Sequence, residues 1–143
     1  MARVDDVAAA ILQRQGQMST WKLQKLVYYC QAWHLVWEEK PLFDEPIQAW
    51  ANGPVVRSLY DRHRGQFSVS SWRNGDASRL TPEESSTVDA VLGTYGGLSG
   101  ADLSSLTHRE PPWANARAGL AEGERGNRQI PHDAMAEYYG GLV

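Results

Sequence analysis

The side chains able to do chemistry are few and scattered. Of four histidines, His34, His63, His108 and His132, none lies four residues from another, so the helical two-imidazole zinc signature is missing. The single cysteine, Cys30, has no partner for an intrachain disulfide and no companions for a Cys-based zinc site. It falls on an apolar stripe and reads as a core thiol, because reactive thiols need electropositive, partly exposed surroundings. No G-x-S-x-G, P-loop or G-x-G-x-x-G occurs. One pair invites an acid–base reading: His108 and Glu110, beside Pro111-Pro112. An imidazole next to a carboxylate could move protons. His108 could equally cap the last carbonyls of the helix before it. The chain is read as a non-enzyme that needs no cofactor and no metal.

Recognition chemistry is better represented. Lys plus Arg number 14 against 17 Asp plus Glu, a net charge of -3. That balance argues against binding nucleic acid through the overall field. Locally the charge is uneven. Arg57, Arg62, His63, Arg64, Arg73 and Arg79 face only Asp61 and Asp76, which suits an acidic partner or phosphate as well as a solvated face. Glu38, Glu39, Asp44 and Glu45 against Lys40 form an acidic counterpart, and polarised charge suits protein recognition. Six tryptophans and six tyrosines accompany these charges. Tyr29, Trp33, Trp37 and Trp113 read as core; Trp50 and Trp72, in less regular surroundings, read as exposed anchors of the kind enriched at interfaces.

The elements that must position these groups are mainly helical. At 143 residues the chain suits one domain, 1–143. Val4, Val7, Ala8, Ile11 and Leu12 mark a first helix, with Gly16 as its stop. A second starts at Ser19 or Thr20 and runs to Trp37. It is apolar almost all round, as a central helix should be, with Leu26, Tyr29, Cys30 and Trp33 inside. Its polar exceptions, Gln24, Lys25, Gln31 and His34, read as a stripe reaching the surface and as a first candidate for partner contact. Ile47–Ala51 reads as a short strand, Asn52-Gly53 as a turn, and Pro54 as the first position of a third helix containing Leu59 and Tyr60. Gly53 should hold a conformation that a Cβ would strain. Asn74-Gly75 suggests a hairpin within 65–80. Thr81-Pro82-Glu83-Glu84 is a capping box opening a fourth helix. Ser99 with Asp102 opens a fifth, and Pro112 seeds a short sixth. Residues 122–127 form a mobile loop by composition, Gln129-Ile130 an edge strand, and Pro131–Tyr139 a last helix. The expected architecture is a mainly α, compact single-domain bundle of about six helices with a few short peripheral strands. No apolar run reaches a membrane-spanning length, and a soluble cytoplasmic protein is expected.

Three ordered stretches carry a family likeness. Leu23-Gln24-Lys25-Leu26-Val27-Tyr28-Tyr29, then Leu42-Phe43-Asp44-Glu45-Pro46-Ile47-Gln48-Ala49-Trp50, then Asn52-Gly53-Pro54-Val55-Val56 resemble the Panacea-domain family, also called SocA-like or phage-associated GepA-like. Leu103 to Trp113, with His108, resembles the family's second block. The likeness spans about Val4 to Tyr139. It implies an antitoxin: members are encoded beside varied toxins and neutralise them by direct binding. One branch acts instead as a proteolytic adaptor, delivering its toxin to a ClpXP-type protease. The matching residues, including Gly53, Pro54, Val55, Leu59 and Tyr60, look like determinants of the fold. Partner contacts are therefore sought elsewhere, in Gln24, Lys25, Gln31 and His34 and in Arg57, Arg62 and Arg64. A cognate toxin is the expected partner; membrane and nucleic acid are not expected. Two other readings stand beside it. The first two helices could mimic a DNA-binding helix-turn-helix, although the second is too apolar to lie in a groove. An enzyme would use His108 and Glu110.

Overall fold

The structure, a computed structural model, describes all residues from Met1 to Val143. In chain order the elements are α1 (Val4–Gln15), β1 (Met18–Ser19), α2 (Thr20–Glu38), β2 (Ile47–Trp50), β3 (Gly53–Val56), α3 (Arg57–His63), β4 (Ser68–Val69), α4 (Pro82–Tyr95), α5 (Gly100–Arg109), α6 (Pro111–Ala116) and α7 (His132–Gly140), with a 3-10 turn at Ala77–Arg79 before α4. The fold is mainly α, as expected.

The molecule is organised around α2. Ser19 opens it, its hydroxyl accepting the Lys22 N–H at 3.0 Å. From Leu23 to Leu35 every residue but Trp33 is buried. A helix that is apolar nearly all round needs walls on every side; here α1, α4, α5, α7 and β3 supply them. Leu26, Tyr29 and Cys30 lie fully inside, within one contiguous cluster of 32 buried apolar residues. Burial pushes the Cys30 thiol up, so it stays protonated. Reciprocal capping boxes, Thr81 with Glu84 and Ser99 with Asp102, start α4 and α5 where their sequences place them.

The strands correct the sequence reading in two places. Pro54 does not open a helix. Asn52-Gly53 turns the chain back on itself, and Gly53–Val56 pairs antiparallel with Ile47–Trp50, Pro54 opposite Ala49. The Ala49 N–H donates away from this ladder to the Arg128 carbonyl at 2.8 Å. Pro54 therefore sits at a pair that needs no N–H from it, and the helix begins at Arg57. Gly53 has φ +129, a backbone conformation that demands glycine, and a Cβ there would also crowd Lys25 Cε at 3.1 Å. The second correction concerns residues 65–80, which form no hairpin. Ser68–Val69 instead pairs with Met18–Ser19, and the chain then crosses the start of α1. There Gly75 packs so closely that a Cβ would come within 1.9 Å of the Asp5 carbonyl oxygen. Gln129 makes a single bridge, to Gln48, on the other side of β2.

Two tryptophans exchange their expected places. Trp72 is buried, its indole N–H donating to Asp5 Oδ1 at 2.8 Å. Trp37, at the end of α2, is 44% exposed and stacks on the half-buried Trp33. Trp113 is also half-buried. No helix is long and apolar enough to cross a membrane.

Candidate recognition surface

The polar side chains of α2 are not at the surface. Gln24, Lys25, Gln31 and His34 are all buried, which overturns the expectation of an exposed stripe. The reason is that loops, too, must bury their backbone polar groups with partners. Gln31 accepts the Leu42 N–H at 2.7 Å and donates to the Phe43 carbonyl at 2.8 Å. Gln24 accepts the Val56 N–H at 2.9 Å and donates to the Val56 carbonyl and to His63 Nε2. Each amide thus replaces a strand that the chain does not have. Because the Gln24 amide donates, His63 Nε2 is the acceptor, and the ring is neutral with its proton on Nδ1. His34 shows the same logic. The Thr87 hydroxyl donates to the Glu83 carbonyl, so His34 Nδ1–H donates to Thr87 Oγ1 at 2.7 Å. Burial lowers the pKa of both imidazoles. Lys25 is 1% exposed and lies beneath the β2–β3 turn, against Gly53 and the Trp21 ring. Burial pulls its ammonium down to about 7.

His108 and Glu110 face different surroundings. The His108 ring sits edge-on to Trp113, with Nε2 3.2 Å from the Ala51 carbonyl and Nδ1 3.5 Å from Ser104 Oγ. It pins the β2–β3 turn and neither caps α5 nor meets Glu110. Glu110 turns inward, where one carboxylate oxygen accepts the hydroxyls of Tyr29 at 2.6 Å and Tyr139 at 2.8 Å. Tyr28 extends the chain to Tyr139 at 3.0 Å. Burial raises the Glu110 pKa, and the two hydroxyl donors oppose the rise. This knot joins α2, α7 and the start of α6. No three His, Cys, Asp or Glu side chains converge as a metal site.

The arginines of 57–79 do not form one patch. Arg62 pairs with the buried Asp5 at 3.0 Å, and Arg79 approaches the buried Asp6 at 4.0 Å. These two serve the start of α1. Arg57 and Arg64, both exposed, turn to the opposite side of α3 and line a half-open cavity of about 500 Å³. Its walls include the rings of Trp50 and Tyr60, which meet edge-to-face at 4.8 Å, and the Arg57 guanidinium lies 5.9 Å from the Trp50 ring centre. The third arginine comes from the glycine-containing loop after α6. Arg117, buried, donates to the Ala49 carbonyl at 3.2 Å and to the Glu124 carbonyl at 2.5 Å. It ties that loop to β2, so Arg125 and Asn127 complete the cavity. The sequence reading missed Arg125 and Asn127 because they lie outside any periodic pattern. It missed Phe67 as well, 86% exposed just beyond α3; a lone phenylalanine in a polar run was its only signal.

The family described as antitoxin SocA-like, Panacea domain, matches residues 23–114, well over half of the chain. That stretch runs from Leu23, in the first turn of α2, through the β2–β3 hairpin, α3, β4, α4 and α5 to Ala114 in α6. No curated protein and no solved structure matches the chain.

Proposed function

We propose, from the premise that the chain belongs to the SocA-like, Panacea-domain antitoxin family, that it is a cytoplasmic antitoxin which neutralises a cognate toxin by binding it directly. The observation that carries this reading is the family match over residues 23–114. The contact surface assigned to the toxin is Arg57 and Arg64 on the exposed side of α3 and Phe67 in the turn after it; Arg62 is withdrawn from it, because its guanidinium is paired with the buried Asp5. Arginine and large aromatics are the residue types that dominate interface energetics, and nothing inside the molecule requires Phe67 to be a phenylalanine. Gln24, Lys25, Gln31 and His34 are withdrawn from that surface, because they are buried and engaged in the fold. A DNA-reading role for the first two helices finds no support, since α2 is enclosed on all sides. The reading is of a binding protein, not an enzyme.

The test is growth rescue by co-expression with the toxin encoded beside this gene. Wild type is expected to rescue, including in a strain without a ClpXP-type protease. Rescue that needs the protease would replace direct neutralisation with delivery. Phe67→Ser together with Arg64→Glu, in protein shown to be folded, is expected to lose rescue. Unchanged rescue would move the interface elsewhere on the molecule.

A further inference from the structure

We infer that the cavity between the β2–β3 hairpin, α3 and the 125–127 loop is a binding site for a mononucleotide carrying two or three phosphates. Three features of the cavity meet in that ligand. The first is unbalanced charge. Arg57, Arg64 and Arg125 all line the cavity, and no carboxylate does. Arg57 has an i,i+4 partner in Asp61 at 3.0 Å, whereas Arg64 and Arg125 have no ion-pair partner. Two guanidiniums are thus left without an anion beside a third, and the planar fork of arginine matches phosphate oxygens pairwise. The second is a wall of two aromatic rings. Trp50 and Tyr60 present half-buried rings beside those cations, and such rings take up a base by stacking. Asn127 at the rim can both donate to and accept from a base edge.

The third feature is that the site is preformed. The loop carrying Arg125 and Asn127 is held to β2 by the buried Arg117, through the carbonyls of Ala49 and Glu124. Gly126 is packed against Leu120, where a Cβ would come within 2.6 Å of a methyl carbon. A tied loop forfeits less ordering entropy when a ligand arrives. At about 500 Å³ the cavity lies within the range of small-molecule sites. The net charge of -3 disfavours a polyanion that extends beyond the recess.

The inference does not rest on the antitoxin reading, because purified protein alone tests it. Calorimetric titration would use ADP, ATP, GDP and GTP. Pyrophosphate, adenosine and guanosine separate phosphate from base, and a hexaglutamate peptide stands for an acidic protein segment. At least one nucleotide is expected to bind at least about tenfold more tightly than pyrophosphate, its own nucleoside and the peptide. Arg64→Ala with Arg125→Ala should weaken the nucleotide at least about tenfold at unchanged Tm. Tyr60→Leu should weaken the nucleotide and leave pyrophosphate unaffected. Failure of all four nucleotides to saturate at about 1 mM would overturn the inference. So would pyrophosphate or the peptide binding as tightly as the nucleotides, or binding indifferent to the arginine pair. Rescue of growth by the Tyr60→Leu protein, which keeps every assigned toxin contact while losing the nucleotide, would leave the antitoxin reading standing alone.

Discussion

The buried polar face of α2 and the exposed basic face of α3 look alike as sequence, each a handful of polar side chains between apolar ones. In the structure they do opposite work. Gln24 and Gln31 meet backbone groups of the chain from Leu42 to Val56, and every hydrogen bond they make is spent on holding that segment or, for Gln24, also the buried His63 of α3. Arg57 and Arg64 make one ion pair between them, with Asp61, and otherwise face an open recess. The difference teaches where to look for function. A polar group saturated by its own fold has nothing left for a partner, whereas charge that the fold leaves unsatisfied is available to one.

The comparison breaks most readily at the glutamines. Gln24→Leu and Gln31→Leu each strand two backbone groups in the interior, at about 1–3 kcal/mol per orphaned group. Each is expected to lower stability by about 3 kcal/mol, seen as a reduced urea midpoint at unchanged m-value. A midpoint equal to wild type would show that these amides are dispensable surface groups after all.

Lys25 sharpens the comparison, because it is a buried polar group without an anionic partner. Its pKa falls from 10.5 in the unfolded chain to about 7 in the fold. The unfolded state therefore binds the extra proton between those values. Stability is expected to rise with pH across that window and to be lost as pH falls through about 7. Lys25→Met should stabilise the protein by about 2 kcal/mol at neutral pH and remove the slope. The slope is best read below about pH 9, because the tyrosines Tyr28, Tyr29 and Tyr139 have pKa values raised by burial and destabilise the fold once pH passes 10. Equal pH slopes in the two proteins would place the Lys25 ammonium in water.

The smallest stability effect belongs to α3. Arg57→Glu with Arg64→Glu should leave the urea midpoint within about 0.5 kcal/mol of wild type, since both side chains are exposed and the Arg57–Asp61 pair is solvent-screened. A loss comparable to that of the glutamines would make the basic face part of the framework.

Much of the framework was legible along the chain. Ser19, the Thr81–Glu84 box and the Ser99–Asp102 box mark helix starts through hydrogen bonds made within four residues, so local sequence is enough to place them. The all-round apolar character of α2 announces a central helix for the same reason: it depends only on spacing. Gly53 was legible as a strained position, but Pro54 was not legible as a strand residue. Its place depends on Ala49 donating to Arg128, a residue seventy-nine positions away. The fate of α2's polar groups was hidden for a like reason. A glutamine has the same local signature whether its amide meets water or the Val56 backbone, and only the packing of distant segments decides which. The recess is a tertiary product throughout: the hairpin contributes Trp50, α3 and its end Arg57, Tyr60 and Arg64, the loop Arg125 and Asn127, and only the folded chain brings them together.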